Sequence, residues 1–305
     1  MVLGALIFAT MGVCVKVASA WFSSAELVLY RGLIGVLFLW VFARGHGVSL
    51  ATRYPGMHAW RSLIGVTSMG AWFYAIAQMP LATAMTLNYM SSVWIAAFLV
   101  GGALLAWVPV PGRDGRVPRP PLQGALVLTV LAGFGGVVLM LRPTIGDDQG
   151  FAGLIGLLSG LTAAFAYLQV VALSRLGEPE VRTVFYFALG SAIAGGLATM
   201  LGSATPWSNW TWSHALWLIP VGVLAALGQL CMTRAYASST TEGGTLLVAN
   251  LQYSGIVFAA MYSVLLFGDR IDAGGWAGMV LIVASGIAAT VLRQRSLPKA
   301  PGEER

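Results

Sequence analysis

The stretch ATAMTLNYMSSVWIAAFLVGGALLA, residues 82–106, runs for 25 residues without a charged side chain. A lipid hydrocarbon core is about 30 Å thick and a helix rises about 1.5 Å per residue, so roughly 20 apolar residues cross it. The stretch is therefore read as one membrane-spanning helix. Its uncharged polar members, Thr83, Asn88 and Ser92, stand out, because a polar group inside hydrocarbon calls for a partner.

Windows of the same kind recur along the chain, at about 2–19, 25–43, 59–78, 122–141, 151–173, 181–202, 214–237, 241–267 and 275–292. They are divided by loop-forming residues such as Met79-Pro80, Arg142-Pro143 and Gly177-Glu178-Pro179. Composition agrees. Of 305 residues, 58% are hydrophobic and only 9% charged, against about 25% charged in a soluble domain. A soluble globule and a disordered chain are both excluded. The fold class expected is all-α: a polytopic membrane protein of ten transmembrane helices. The first window carries Ala18-Ser19-Ala20, which resembles a signal-peptide cleavage pattern. Lys16 interrupts it and no positive segment precedes it, so it is read as the first span.

Orientation follows from the basic residues. With the N-terminus in the cytoplasm, the cytoplasmic loops hold Arg44, Arg53, Arg61, Arg113, Arg116, Arg119, Arg175, Arg182 and Arg234. The tail adds Arg293, Arg295, Lys299 and Arg305, whereas the opposite face holds only Arg142 and Arg270. This asymmetry puts both termini in the cytoplasm of a cell that carries the protein in its inner membrane. Asp147, Asp148, Asp269, Asp272 and Trp207, Trp210 and Trp212 then fall on the outer side. The net charge of +6 is a loop bias toward one membrane face rather than a nucleic-acid surface. The expected partners are the lipid bilayer and a small-molecule substrate, with no nucleic acid and a monomer as the working state.

The two halves resemble each other. A constant shift aligns Thr83 with Thr245, Asn88 with Asn250 and Ser92 with Ser254. Other shifts align Gly4 with Gly156, Ala75 with Ala235, and Gly124, Gly135 and Arg142 with Gly275, Gly286 and Arg293. Five helices per half is an odd number, so the second half is expected to run inverted. The units are residues 1–143 and 144–293, followed by a tail, 294–305. Inverted repeats of this kind place a site near the bilayer midplane, between the halves.

Several segments resemble a known family. They are VCVKVASAWFSSAELVLYRG (13–32), WFYAIAQMPLATAMTLNYMSSVW (72–94), GGVVLMLRP (135–143) and LLFGDRI (265–271). Together with ten spans in two repeats, they are similar to the drug/metabolite transporter (DMT) superfamily of the EamA type. Within it, the YddG-like aromatic amino-acid exporters are the closest match. The resemblance implies export of small organic metabolites, above all aromatic or neutral amino acids, by alternating access. A broad drug or lipid exporter on the same fold is the alternative. The chain departs from related patterns in having no acid in 9–12, so proton coupling through that stretch is not implied.

Asn88 and Ser92 are four residues apart and share a helix face, as do Asn250 and Ser254. An amide offers donors and an acceptor without a fixed charge, which suits a zwitterion. Tyr89 and Tyr253 adjoin these pairs, while Tyr74, Trp94 and Gln252 add aromatic and amide surface. These nine residues are the expected substrate site. Tyr167 and Gln229 belong to the same polar and aromatic set. A charge deep in a bilayer costs about 2.5–3.5 kcal/mol on insertion scales. Lys16 and Arg31 are the basic intruders, read as snorkelling to the outer interface near Glu26 or as an outer gate. The scarcity of intramembrane cations argues against a phosphorylated substrate. His46, His58 and His214 fall in loops or at span ends, and Cys14 and Cys231 sit in apolar runs. No catalytic set, metal site or cofactor is expected, and an enzyme is disfavoured.

Overall fold

The computed structural model describes residues 1–105, 124–141, 149–202, 204–206, 210–239 and 242–296. The basic loop with Arg113, Arg116 and Arg119, and also Arg142, Asp147, Asp148 and Trp207, lie outside these residues, as does the tail beyond Ser296. The described chain is all-helical. The helices are α1 (Val2–Ala18), α2 (Ser24–Gly45), α3 (Pro55–Gln78), α4 (Leu81–Tyr89), α5 (Ser91–Leu105), α6 (Gly124–Leu141) and α7 (Gln149–Arg175). They continue with α8 (Glu180–Leu201), α9 (Trp212–Ala215), α10 (Leu218–Ala237), α11 (Glu242–Leu251), α12 (Ser254–Phe267) and α13 (Ala273–Ser296). Among the described residues, five segments are long and apolar enough to cross a membrane: Ser24–Gly45, Gly150–Arg175, Glu180–Leu201, Trp212–Ala237 and Leu247–Phe267. Val2–Ala18 and Ala273–Ala288 are shorter apolar helices.

The surface is that of a protein immersed in lipid. Leu37, Leu63, Ile193, Leu197, Met200 and Leu201 point outward. Apolar burial cannot drive helices together in hydrocarbon, so small residues and buried hydrogen bonds do that work. The antiparallel pair α2–α8 shows it. A Cβ on Gly32 would collide with the backbone of Ala192, and one on Gly195 with the backbone of Leu29. The pair α6–α13 closes in the same way, where a Cβ on Gly136 would come 2.8 Å from the Gly278 carbonyl oxygen.

Two of the expected continuous spans are interrupted. Residues 82–106 divide into α4 and α5 around Met90, whose N–H bonds to both the Thr86 and Leu87 carbonyls. Residues 241–267 divide into α11 and α12, where the N–H groups of Gln252, Tyr253, Gly255 and Ile256 each bond three residues back. Such tightening needs no proline and often marks a hinge within a helix. Helix α3 also begins at Pro55, four residues before the expected start. Proline is well suited to the first helical turn, where its missing N–H costs nothing. The earlier start draws His58 into the packed helix and places Arg61 in its second turn rather than at its mouth.

Candidate functional site

A small internal cavity of about 30 Å³ lies where α1, α3, α4, α7, α8 and α10 converge. Its polar lining is Arg61, Ser68, Trp72, Asn88, Tyr89, Tyr167 and Gln229, and Phe8 and Phe187 supply aromatic wall. Four of these side chains carry buried polar atoms without a hydrogen-bond partner: Arg61 Nε and Nη1, Trp72 Nε1, Tyr89 Oη and Gln229 Oε1. Buried polar groups are normally satisfied, because an unmade bond costs about 1–3 kcal/mol. Several unmet groups around one cavity are what a polar ligand would satisfy.

Arg61 overturns part of the sequence reading. Counted with the cytoplasmic loop arginines although it lies near the start of the 59–78 window, it is only 2% exposed. Its guanidinium carbon lies 4.1 Å from the centre of the Phe187 ring. Gly65, one turn on, makes this possible, since a Cβ there would meet Arg61 Nη1 at 2.6 Å and the Phe187 ring at 2.8 Å. Arg31 also departs from expectation. It does not snorkel outward. Its Nη1 donates to Ser191 Oγ at 3.1 Å, and its guanidinium lies 4.8 Å from the same Phe187 ring. The α2–α8 seam offers it an acceptor and an aromatic ring within reach. Among the described residues, no carboxylate pairs with either arginine.

Asn88, one of the residues singled out in the sequence, lines this cavity. Its Nδ2 donates to Ser159 Oγ at 3.1 Å, and Ser159 Oγ donates onward to the Gly156 carbonyl at 2.6 Å. Ser68 Oγ donates to the Ser159 carbonyl at 2.8 Å. The arrangement depends on Gly156-x-x-x-Gly160, across which α4 presses into α7. A Cβ on Gly160 would sit 2.5 Å from the Leu87 carbonyl oxygen. Tyr89 lines the same cavity, its ring lying on Gly255 of α12.

The remaining expected residues divide. Ser92 does not line the cavity; its Oγ donates to the Ala249 carbonyl of α11 at 2.8 Å, beside the 252–256 irregularity. Gln252 Nε2 donates to Tyr236 Oη at 3.2 Å, and Tyr236 stacks on Tyr167, a cavity residue. Tyr253 is buried with its ring against Gly286. Asn250 is half-buried away from the cavity lining, and Ser254 Oγ returns to the Leu251 carbonyl of its own helix. Trp94 packs against Phe134 and Phe98. Tyr74 meets Phe151 edge-on and borders a different space, an apolar groove of about 970 Å³ along α2, α3, α7 and α8. Exposed Leu63, Leu158 and Ile193 line that groove, which opens toward lipid. The polar cavity is the better candidate because four of its lining side chains, Arg61, Trp72, Tyr89 and Gln229, carry unpartnered buried polar atoms. Arg61 and Trp72 are the candidate cavity residues that sequence reasoning left out. The proline at 55, as a helix-start signal, carried the information for Arg61.

Inter-helix ties hold both ends of the bundle. Lys16 Nζ donates to the Met79 carbonyl at 2.7 Å, closing the end of α3. Glu26 pairs with neither Lys16 nor Arg31. It forms a capping box with Ser23 and accepts from Thr205 N–H at 2.9 Å and Thr205 Oγ1 at 2.8 Å. At the other end of α2 and α8, Glu178 accepts from His58 Nε2 at 3.0 Å, from Thr52 Oγ1 at 3.1 Å and from Arg182 Nη1 at 3.2 Å. Burial pushes the Glu178 carboxyl up, but these donors outweigh it and hold the group below the usual carboxylate range. The position of His58 at a span end hid this cluster from the sequence.

No family model matches the chain. It is 32% identical to the pseudopaline exporter of Pseudomonas aeruginosa strain UCBPP-PA14, over 94% of this chain and 93% of that one. It is 29% identical to the riboflavin transporter of Rhizobium johnstonii over 72% of this chain and 66% of that one. Human solute carrier family 35 member G1 is 25% identical over 76% of this chain and 61% of its own. A solved crystal structure with 20% identity superposes at a TM-score of 0.63 over 96% of both chains, a likeness of fold alone.

Proposed function

The chain belongs to the family of membrane transporters that includes the pseudopaline exporter, and on that premise we propose that it exports small organic metabolites through the cavity around Arg61 and Asn88. The observation that carries this reading is the convergence of unpartnered buried donors and acceptors on one aromatic-walled space. A transporter site must hold its cargo by hydrogen bonds yet release it, so the donors and acceptors are left free for the solute. The relatives named for transport of pseudopaline and riboflavin support a multi-atom organic solute. Aromatic and neutral amino acids are members of the same amphipathic class.

The architecture proposed is two inverted five-helix repeats, 1–143 and 144–293, in the inner membrane with both termini cytoplasmic. Three relationships support it. The helix interruptions fall at Met90 and at Gln252-Tyr253, positions that the Asn88–Asn250 register superposes. Tyr89 of the first half lies on Gly255 of the second, so α4 and α12 pack ring against backbone across the two halves. Ser92 of one half holds the Ala249 backbone of the other. A cavity of about 30 Å³ has room for little more than one water-sized molecule, so loading requires the helices around it to part. The tight turns at 90 and 252–253 are where that motion is absorbed.

The test is export from living cells. A bacterial host expressing the protein should release metabolites into the medium, by mass spectrometry, that empty-vector cells retain. Asn88→Ala should abolish the difference at equal membrane abundance. Identical media from the wild-type and empty-vector strains would reject the reading.

A further inference from the structure

We propose that the cargo is recognised through a carboxylate seated on Arg61, with an N–H or O–H of the same molecule donated to Gln229. This rests on the transporter reading above and narrows its substrate class. Arg61 is 2% exposed, within the bundle, and no carboxylate among the described residues neutralises it. An unpaired buried cation is costly in any protein interior and more so inside a membrane. Phe187 offsets part of that cost through its ring face, but it leaves Nε and Nη1 without acceptors. Each of these nitrogens is a charged donor that can hydrogen-bond a carboxylate oxygen.

Arg31 strengthens the site from behind. Both guanidinium carbons lie within 5 Å of the Phe187 ring centre. The two positive charges therefore act together on whatever enters the cavity, although Arg31 is not part of its lining. Gln229 is 5% exposed and lines the cavity with its amide oxygen unpartnered. An acceptor there and a cation at Arg61 fit a molecule carrying both a carboxylate and a donor, as amino acids and their derivatives do. A phosphate dianion fits less well, because only one of the two guanidiniums lines the cavity. The aromatic wall of Phe8, Trp72 and Tyr167 takes the apolar remainder of such a molecule.

The test is ligand stabilisation of the purified full chain in detergent, using acids paired with their α-amides: phenylalanine with phenylalaninamide, histidine with histidinamide, and leucine with leucinamide. Inorganic phosphate and riboflavin are included as separate probes. At least one acid should raise the melting temperature while its side-chain-matched neutral or cationic partner does not. Arg61→Gln should abolish that shift, and Arg61→Lys should weaken it at least tenfold in apparent affinity. Gln229→Leu should weaken amino acids while sparing phenylpropionate, which keeps the carboxylate and lacks the amine. Arg61→Gln without ligand should melt at or above the wild-type temperature, because it removes an unpaired buried charge. A structural arginine would instead lower it.

Three results would overturn the proposal: no acid exceeding its amide, an unchanged acid response in Arg61→Gln, or phosphate alone stabilising the protein. Stabilisation by riboflavin or an amide without any acid preference would overturn the carboxylate assignment and leave the transporter reading standing. That reading fails separately, in the cellular export assay.

Discussion

The guanidinium of Arg61 lies 4.1 Å from the centre of the Phe187 ring, so that a residue of α3 and one of α8 meet at the edge of the polar cavity. The contact stabilises a cation that has no acid partner among the described residues. Replacing Phe187 by Leu keeps most of the apolar volume and removes the ring face. The expected loss is about 0.5–2 kcal/mol, measured as a lower midpoint of denaturation in detergent. Combined with Arg61→Gln, the loss should shrink, because the cation is then gone. Purely additive effects would refute the coupling.

Asn88→Ala removes the hydrogen bond to Ser159. A buried bond of this type contributes about 1 kcal/mol, so the variant should fold and purify with a modest loss of stability. Export should fall much further, since the amide faces the cavity. Equal loss in stability and export across a series of Asn88 variants would assign the residue to packing alone.

Gly160→Ala places a methyl group against the Leu87 carbonyl oxygen, 2.5 Å away. Backbone cannot yield as a flexible side chain can, and overpacking of this kind costs about 1–3 kcal/mol. Gly70→Ala is the matched control, because nothing lies within 4 Å of the added atom. Thermal melts of the two variants should separate clearly. Indistinguishable melts would argue against the close α4–α7 crossing.

Glu178 gives a pH dependence of definite sign. Its donors hold the folded-state carboxyl below its unfolded value. The stabilisation is therefore complete above the unfolded value of about 4.3 and is lost as pH falls through the folded-state value. The melting temperature of the wild type should exceed that of Glu178→Gln at pH 7, and the gap should close on acidification below about pH 4. A gap of constant size between pH 7 and pH 3.5 would contradict the assignment.

Much of the helical pattern was legible in the sequence, because uninterrupted apolar windows have no other economical solution. The ends of α1, α2, α7 and α8 fall within two residues of the expected limits. Apolarity alone placed the start of α3 at 59, since His58 dilutes the window that Pro55 in fact opens, and left Arg61 at its mouth among the loop cations. That displacement hid Arg61, and with it the cationic character of the cavity. The interruptions at Met90 and Gln252-Tyr253 were illegible for another reason. They arise from hydrogen bonds to three residues back rather than from proline or glycine runs. Asn88 was singled out because its pairing with Ser92 in a long uncharged helix calls for a partner, and Tyr89 because it adjoins that pair; both line the cavity, whereas Ser92 does not. Asn250 and Ser254 have the same residue types in the same register, yet they lie away from the cavity, since the register does not fix which way each helix is turned.

The most direct test of the account is passage of a labelled solute through the cavity itself. Proteoliposomes loaded with unlabelled solute should take up its labelled form by exchange, with pseudopaline, riboflavin and tryptophan tried in turn. Wild type should accumulate at least one above protein-free liposomes. Ala163→Leu, which fills the cavity from α7, should elute as the same monodisperse peak and accumulate none. Equal uptake by the filled variant, or no uptake of any of the three by the wild type, would contradict a metabolite path through Arg61, Asn88 and Gln229.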